Sequence, residues 1–327
     1  LPFLNKEYHL HFTGGEPLLS FALVQKIVAL AEASNRDFGK KAHYSLTTNG
    51  TLISPAVLRF FRQHRFSVTL SFDGTAQDIQ RHPGSRGLVL SRLTALRDEP
   101  RVRLRVNSVF TPATVRCLSD SLRLLLDLDV PDISFTLSVL RPWGRASLRE
   151  LDLEMKKAGG HLLGHYRRTG HMTVDGFRDN GKKGIFFCAG GKDRMAAAPD
   201  GRVWGCHLFS DYFRGREGSA DFQRYCYGSL EGFQKHPEEA RLRLAPHYGR
   251  LAMDNLATSR GECFLCPEVE RCTVCPVNAA FSGSPLGRIP LYVCRIRKIV
   301  MEAENRFRRQ IRGAARGYPR PREGGPG

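Results

Sequence analysis

Residues 8–17 read YHLHFTGGEP, and this stretch decides the fold. Tyr8–Phe12 alternates apolar and polar side chains, the period-two pattern of a β-strand with two unlike faces. Thr13-Gly14-Gly15-Glu16-Pro17 closes the strand, and an apolar helix is expected from Leu18 to Ala33. The same succession recurs downstream. His43–Thr47 reads as a second strand, and Pro55 opens a helix to His64, a favoured place for proline. Phe66–Phe72 is a third strand with a helix near Leu88–Arg97 after it. Val102–Phe110 alternates strictly and is followed by an amphipathic Thr114–Leu128, and Ile133–Val139 is a fifth strand. Strands alternating with helices predict a parallel sheet wrapped by helices.

The small polar residues fall at one place in each repeat. Strand two ends in Thr47-Thr48-Asn49-Gly50, strand three in Ser71-Phe72-Asp73-Gly74, and strand four carries Asn107 and Ser108 near its end. In a parallel α/β barrel the site is built at the carboxyl ends of the strands. Gly14 and Gly15 let backbone approach a ligand closely. Glu16 can accept from an ammonium group, Asn49 both donates and accepts, and Asp73 with Ser71 beside it can take the hydroxyls of a ribose. Each pair alone is also a common turn; in phase at successive strand ends they predict a pocket. Its chemistry suits a zwitterionic, ribose-bearing ligand. A triphosphate is not indicated, since the chain has no G-x4-G-K-[ST] loop.

The 327 residues leave room for one large domain and a small one. Hydrophobic content of 41% and charged content of 25% are those of an ordinary globular protein. No apolar run approaches the roughly 18 residues of a membrane span, and no signal-peptide pattern opens the chain. The expectation is therefore a cytoplasmic protein without a membrane partner. The net charge of +18 would suit nucleic acid or an acidic peptide. Arginines are scattered along the whole chain, however, and nucleic acid is not the expected partner. The one local concentration runs from Arg306 to Arg322, and the Pro/Gly-rich end from Gly317 reads as disordered.

The C-terminal half holds Cys188, Cys206, Cys263, Cys266, Cys272, Cys275 and Cys294, with a tight C-x2-C-x5-C-x2-C block from Cys263 to Cys275. Thiolates are soft ligands that favour iron–sulfur clusters or zinc. One tetrahedral site uses four ligands, so seven point to more than one centre. Zinc ribbons separate their C-x2-C pairs by about 15 to 20 residues, and disulfides need an oxidising compartment. Both readings stay open behind the cluster reading. Cys117, inside a helix pattern, reads as a small buried hydrophobe.

With these residues in hand, the sequence resembles the radical S-adenosylmethionine (SAM) superfamily, specifically members with a C-terminal SPASM domain. Gly14, Gly15, Glu16 and Pro17 match the family's G-G-E-P element, which holds the SAM amino group. Thr48-Asn49-Gly50 and Ser71-Phe72-Asp73-Gly74 match later elements that contact its polar groups and ribose. Arg81 lies where relatives carry a basic residue that reaches the SAM carboxylate, and Asn107 joins the cofactor-binding set. Cys188, Gly201 and Cys206 match C-x9-15-G-x4-C, with Pro199-Asp200-Gly201 reading as a hairpin turn.

The resemblance implies a partial (β/α)6 TIM-like barrel lacking its first strand, followed by a small cysteine-rich SPASM domain. It divides the chain into a barrel at 1–145, a linking helical segment at 146–184, an auxiliary-cluster domain at 185–300 and a basic, partly disordered tail at 301–327. It implies two auxiliary [4Fe–4S] clusters: Cys263, Cys266, Cys272 and Cys294 would ligate one, and Cys188, Cys206 and Cys275 three irons of the other. Cys226 would supply the missing ligand, or that iron would stay open. These clusters would staple a unit expected to have little core of its own.

Three departures from the family pattern matter. The Cx3Cx2C motif of the SAM-cleaving cluster does not occur in these residues. It is expected, with the first strand, before Leu1, so that the third cluster belongs to the intact protein only and this fragment is expected to be inactive alone. Cys275 follows Cys272 by two residues rather than three. No further cysteine matches for the Cys188 cluster.

The resemblance further implies an oxidoreductase-type maturase. A 5′-deoxyadenosyl radical made from SAM would take a hydrogen from a side chain of a peptide or protein, with electrons from a flavodoxin or ferredoxin. A ribosomally made peptide, with an acidic leader suited to the basic surface, is favoured over a sulfatase. Sulfatase maturases carry an Asp base after the G-x4-C cysteine, and here that position is His207, the candidate catalytic residue. The alternatives are a sulfatase-maturase-like enzyme, a non-catalytic iron–sulfur scaffold or electron carrier, and a zinc-stabilised nucleic-acid binder.

Overall fold

The computed structural model describes residues 5–178, 190–192, 194–258, 263, 265–269, 272, 274–275 and 277–317. Five strands, β1 (Glu7–Phe12), β2 (Lys41–Thr48), β3 (Ser67–Ser71), β4 (Arg103–Phe110) and β5 (Ile133–Leu137), form one sheet in the order β1-β2-β3-β4-β5. Every neighbouring pair is parallel, so all five carboxyl ends lie at one edge. The connections carry helices α1 (Phe21–Phe38), α2 (Pro55–Gln63), α3 (Gln77–Gln80), α4 (Ser85–Arg97) and α5 (Leu118–Asp127). The strand and helix positions expected from the sequence agree with these to within a few residues.

Alternation in the sequence becomes a two-faced sheet. Tyr44, Leu46, Val68, Leu70, Leu104 and Val106 point into a large core together with Val28 of α1, Phe61 of α2, Leu93 of α4 and Leu122 of α5. The opposite face carries His11, Ser45, Thr47, Thr69, Ser71 and Asn107. Parallel sheets with helices on both faces have nearly continuous apolar strands. Here only one face is apolar, and the other carries a polar surface.

After α6 (Arg145–Thr169), a second sheet of β6 (Ala196–Ala197), β7 (Arg202–Trp204) and β8 (Cys226–Ser229) is antiparallel, in the order β6-β7-β8. The expected turn at Pro199-Asp200-Gly201 joins its first two strands. Helices α7 (His207–Phe213), α8 (Ala220–Tyr225), α9 (Leu230–Lys235) and α10 (Pro237–Thr258) complete this unit. Its core is aromatic: the Trp204 ring stacks on Phe213 at 5.3 Å and meets Phe222 edge-on at 5.2 Å, with Phe209, Tyr225 and Tyr248 packed alongside. The expectation that this unit has little core of its own therefore does not hold. Large rings concentrate buried area in few residues, which a count of aliphatic runs overlooks.

The last helix, α11 (Leu291–Gly317), corrects a second expectation. It passes straight through the boundary placed at residue 300. Ile296, Val300, Ala303 and Phe307 belong to the large core, so residues 301–312 are not a detached tail. Apolar residues at helical spacing lie between the arginines, and the arginines drew the sequence reading toward a solvated segment. Residues 318–327 lie outside the described residues.

Among the described residues one helical stretch, Pro17–Phe38, is long and apolar enough to cross a membrane by length and composition. Gln25, Lys26 and Glu32 interrupt any apolar run in it, which is why counting runs passed it over. In this fold Val24, Val28 and Ala31 of the stretch are buried in the large core.

Candidate functional site

The loop after β1 is held by its own glutamate. Glu16 Oε1 accepts from the Leu18 N–H at 3.1 Å and from the Thr48 hydroxyl at 2.8 Å, and Oε2 accepts from the Asn49 N–H at 2.8 Å. The carboxylate thus caps the turn Pro17–Ser20 and ties the end of β1 to the end of β2. Three of about four acceptor positions on a carboxylate are used, leaving one for an ammonium group. Asn49 Oδ1 accepts from the N–H and hydroxyl of Thr51 at 2.9 and 2.7 Å. Gly14 and Gly15 are exposed at the same edge.

Asp73 is placed otherwise than expected. Asp73 is fully buried. Its Oδ2 accepts from Arg81 Nε at 2.7 Å and Gln80 Nε2 at 3.3 Å, and its Oδ1 from Arg81 Nη2 at 3.2 Å and the Val109 N–H at 2.7 Å. All four acceptor positions are filled from within the chain. In this geometry no acceptor position of Asp73 is left for a ribose hydroxyl, whereas Arg81 spends two of its five N–H donors on Asp73 and keeps the others for a carboxylate. The two side chains take each other and lock the β3 loop to the end of β4. A turn-forming Asp-Gly pair gives no sign of a partner eight residues on, and still less of Gln80 or the Val109 backbone.

Ser71 and Asn107 sit opposite each other on β3 and β4, on the polar face. Asn107 Oδ1 accepts from the Ser134 hydroxyl at 3.0 Å and the Thr136 hydroxyl at 3.3 Å. Ser71, Asn107, Ser134 and Thr136 thus continue the polar surface from the strand-end loops toward β5.

His11 was not singled out in the sequence. Its Nδ1 lies 2.8 Å from Ser45 Oγ and its Nε2 3.2 Å from Thr47 Oγ1, so neighbouring β2 hydroxyls fix the ring on the polar face. Desolvation, then the nearby His207 and Arg194, hold the His11 imidazole below its ordinary range. His207 begins α7 directly after Cys206. Desolvation and Arg194 also lower it, against the pull of Asp211. Two imidazoles from different units are therefore electrostatic neighbours, each held below its ordinary range first by desolvation. The period-two pattern of 8–12 put His11 on the polar face; its nearness to His207 is a long-range contact no local pattern contains.

Among the cysteines, Cys272 is pushed up by burial first, with Cys263 and Cys294 adding to the effect and the Val274 N–H and Arg297 opposing it. Three members of one expected ligand set, from two distant segments, are thus electrostatic neighbours. The backbone around them turns tightly, with the Cys266 N–H donating to the Cys263 carbonyl at 3.2 Å and the Cys272 N–H to Val269 at 3.1 Å. Among the described residues no three His, Cys, Asp or Glu side chains approach closely enough to hold a single metal ion. The thiolates of a [4Fe–4S] group bind different irons and stand farther apart than the ligands of one ion. The donor set fits such a group.

Of the second set, Cys206 is buried and Cys275 lines a cavity of about 470 Å³ with Ser134, Thr136 and Arg297. Cys188 lies outside the described residues. Cys226 is buried, with its thiol pushed up by desolvation. Cys117 packs against the large core but is only partly buried, short of the buried position expected of it.

Tyr248 is a further residue the sequence did not reveal. Its hydroxyl donates to the Tyr225 carbonyl at 2.6 Å and accepts from the Gly205 N–H at 2.7 Å, fixing the residue before Cys206. A Cβ on Gly205 would lie 2.3 Å from this ring, so only glycine fits there.

No family model matches the chain. A radical SAM cyclopropyl synthase from Paramaledivibacter caminithermalis is 33% identical over 69 residues, covering 21% of this chain and 14% of that protein. A serine-type anaerobic sulfatase-maturating enzyme from Klebsiella aerogenes is 39% identical over 84 residues, covering 25% of this chain and 20% of that protein. The matched stretches thus span well under two thirds of these relatives. Among solved structures, native anSMEcpe with bound AdoMet and a peptide superposes with a TM-score of 0.70 at 18% identity, covering 96% of this chain and 87% of that one.

The class is defined by these likenesses: the chain resembles the radical SAM enzymes in local sequence and in fold. More particularly, its fold is that of the anaerobic sulfatase-maturating enzymes, whose structures with AdoMet superpose along nearly its whole length.

Proposed function

We propose that this chain is the SAM-binding and auxiliary-cluster region of a radical SAM maturase that modifies a side chain of a peptide or protein. In this reading the five parallel strands are all but the first of a (β/α)6 partial barrel, and residues 185–300 form a SPASM domain. The observation that carries it is the likeness in fold, over 96% of the chain, to an enzyme with AdoMet and a peptide bound. The polar strand-end loops supply the matching chemistry. Bound SAM supplies, on reductive cleavage, a radical able to take a hydrogen atom from an unactivated carbon.

The chain's own residues bind and orient. Glu16 keeps one acceptor position for the SAM ammonium, Gly14 and Gly15 let backbone approach it, and Thr48, Asn49, Ser71 and Asn107 present the polar edge. His207, with His11 beside it, holds the proton that the substrate loses. Cys263, Cys266, Cys272 and Cys294 hold one auxiliary [4Fe–4S] cluster, and Cys188, Cys206 and Cys275 hold the other. The substrate we favour is a ribosomally made peptide with an acidic leader, with a flavodoxin or ferredoxin as electron donor in the cytoplasm. A sulfatase is the second reading, favoured by the 84-residue likeness to the Klebsiella enzyme.

Anaerobic reconstitution with iron and sulfide counting tests the cluster reading. About eight irons per chain are expected for two [4Fe–4S] groups; zinc without iron would overturn the proposal. An in-frame Cx3Cx2C upstream of Leu1 in the gene is expected if the whole protein is an enzyme, and a gene without one leaves only an iron–sulfur scaffold.

A further inference from the structure

Helix α11 carries Cys294, Arg297, Glu304 and Arg308 at intervals of three, seven and four residues, which puts successive members on one face of the helix. Glu304 is nearly fully buried. Arg297 Nη1 meets Glu304 Oε1 at 3.0 Å, and Arg308 Nη1 meets Glu304 Oε2 at 3.9 Å. Arg308 also donates to the Gly176 carbonyl at 2.8 Å, and Asn305 to Glu268 in the cysteine block at 2.8 Å. One carboxylate is therefore shared by two guanidiniums, and the three charges sum to +1. Arg297, one turn from Cys294, is the end of this array nearest the cysteines, and it also lines the cavity that contains Cys275.

We propose that Arg297, its charge partly offset by Glu304, sets the reduction potential of the auxiliary cluster bound by Cys263, Cys266, Cys272 and Cys294. The inference rests on the cluster reading above. A [4Fe–4S]2+ group on four thiolates carries a charge of −2, and one added electron makes it −3. A fixed positive charge at short range in a partly desolvated setting favours the more negative state. Arg297 is argued to act through its charge on the cluster, so it is a positioning residue for electrons.

The test uses the chain reconstituted anaerobically, titrated with dithionite and followed by electron paramagnetic resonance, with iron counted in every sample. Arg297→Gln should lower one midpoint, with the reduced-to-oxidised ratio at fixed potential falling about tenfold, equivalent to about 59 mV for one electron. Glu304→Gln should move the same midpoint upward, because it removes the opposing charge. Arg308→Gln should lower it less than Arg297→Gln, and Arg297→Lys should leave it near the parent value. A merely structural role predicts no such opposition of sign. Equal iron content with unmoved midpoints, or shifts of the same sign in Arg297→Gln and Glu304→Gln, would overturn the inference. If Arg297→Gln loses iron, Glu304→Gln against Arg297→Lys decides it in the same way. A parent chain that takes up no iron overturns the cluster reading itself.

Discussion

Replacing Asp73 by asparagine separates a strut from a ligand contact. The amide has nearly the shape of the carboxylate but offers one acceptor oxygen instead of two. In the fold Oδ1 takes Val109 and Arg81, while Oδ2 takes Arg81 and Gln80. Either orientation of the amide turns an NH2 toward two donors, so two of four bonds are lost and Arg81 loses its counter-charge. Removing one partner of a buried ion pair costs about 3–5 kcal/mol. Arg81 is 27% exposed, so water recovers part of its charge, and the lower end, about 3 kcal/mol, applies. The assay is urea unfolding followed by tryptophan fluorescence. The chain has two tryptophans; Trp143 belongs to the large core and Trp204 to the aromatic core, so a Trp204→Phe background reports the Asp73 region. With a slope of about 3 kcal/mol/M, the midpoint should fall by about 1 M. Arg81→Gln should be strongly non-additive with it. A loss under about 1 kcal/mol together with weakened SAM binding would refute the argument and return Asp73 to the ribose.

Gly50 has φ +81°, and a Cβ there would lie 2.6 Å from Leu70 Cδ1; Gly50→Ala should cost about 3 kcal/mol from backbone strain and overpacking. Gly15→Ala meets open space and should stay within about 0.5 kcal/mol in the same unfolding assay. Phe307→Ala should cost about 3–5 kcal/mol, since Phe307 is buried in the large core; a neutral result would mean the end of α11 is not docked there. In an NMR titration the His11 ring should protonate below the ordinary value of 6.5, and His207→Ala should raise it by removing a like charge. The unfolded chain then binds more protons between the two values, so this contribution to stability declines as pH falls from about 6.5 toward the folded value. A His11 titration unmoved by His207→Ala would deny the contact.

The strands were legible because a sheet with one wet face writes period-two alternation into each of them, as in Val102–Phe110. The strand-end residues were legible as a set because Gly14–Pro17, Thr48–Gly50 and Ser71–Gly74 fall in phase. Their partners were not. Glu16 reaches 32 residues along to Thr48, and the Val109 N–H reaches back 36 to Asp73; such contacts depend on strand register and leave no local signature. The same holds for His11 beside His207, and for Tyr248 behind Gly205. In α11 the many arginines dominate the composition, some exposed and Arg297 and Arg308 turned to buried Glu304, while Phe307 and Val300 mark the packed face.

The inward turn of Glu16 and Asp73 divides labour at the strand ends. Asp73 is fully committed before any ligand arrives and Glu16 in all but one acceptor position, one joining β3 to β4 and the other β1 to β2. A molecule arriving there meets loops already cast, so little of its binding free energy is spent on ordering them. Recognition then falls to the open acceptor position of Glu16 and to the polar groups Asn49, Ser71 and Asn107, which brace only their near neighbours. Ligand preference can therefore drift at those three positions while Glu16 and Asp73 stay fixed.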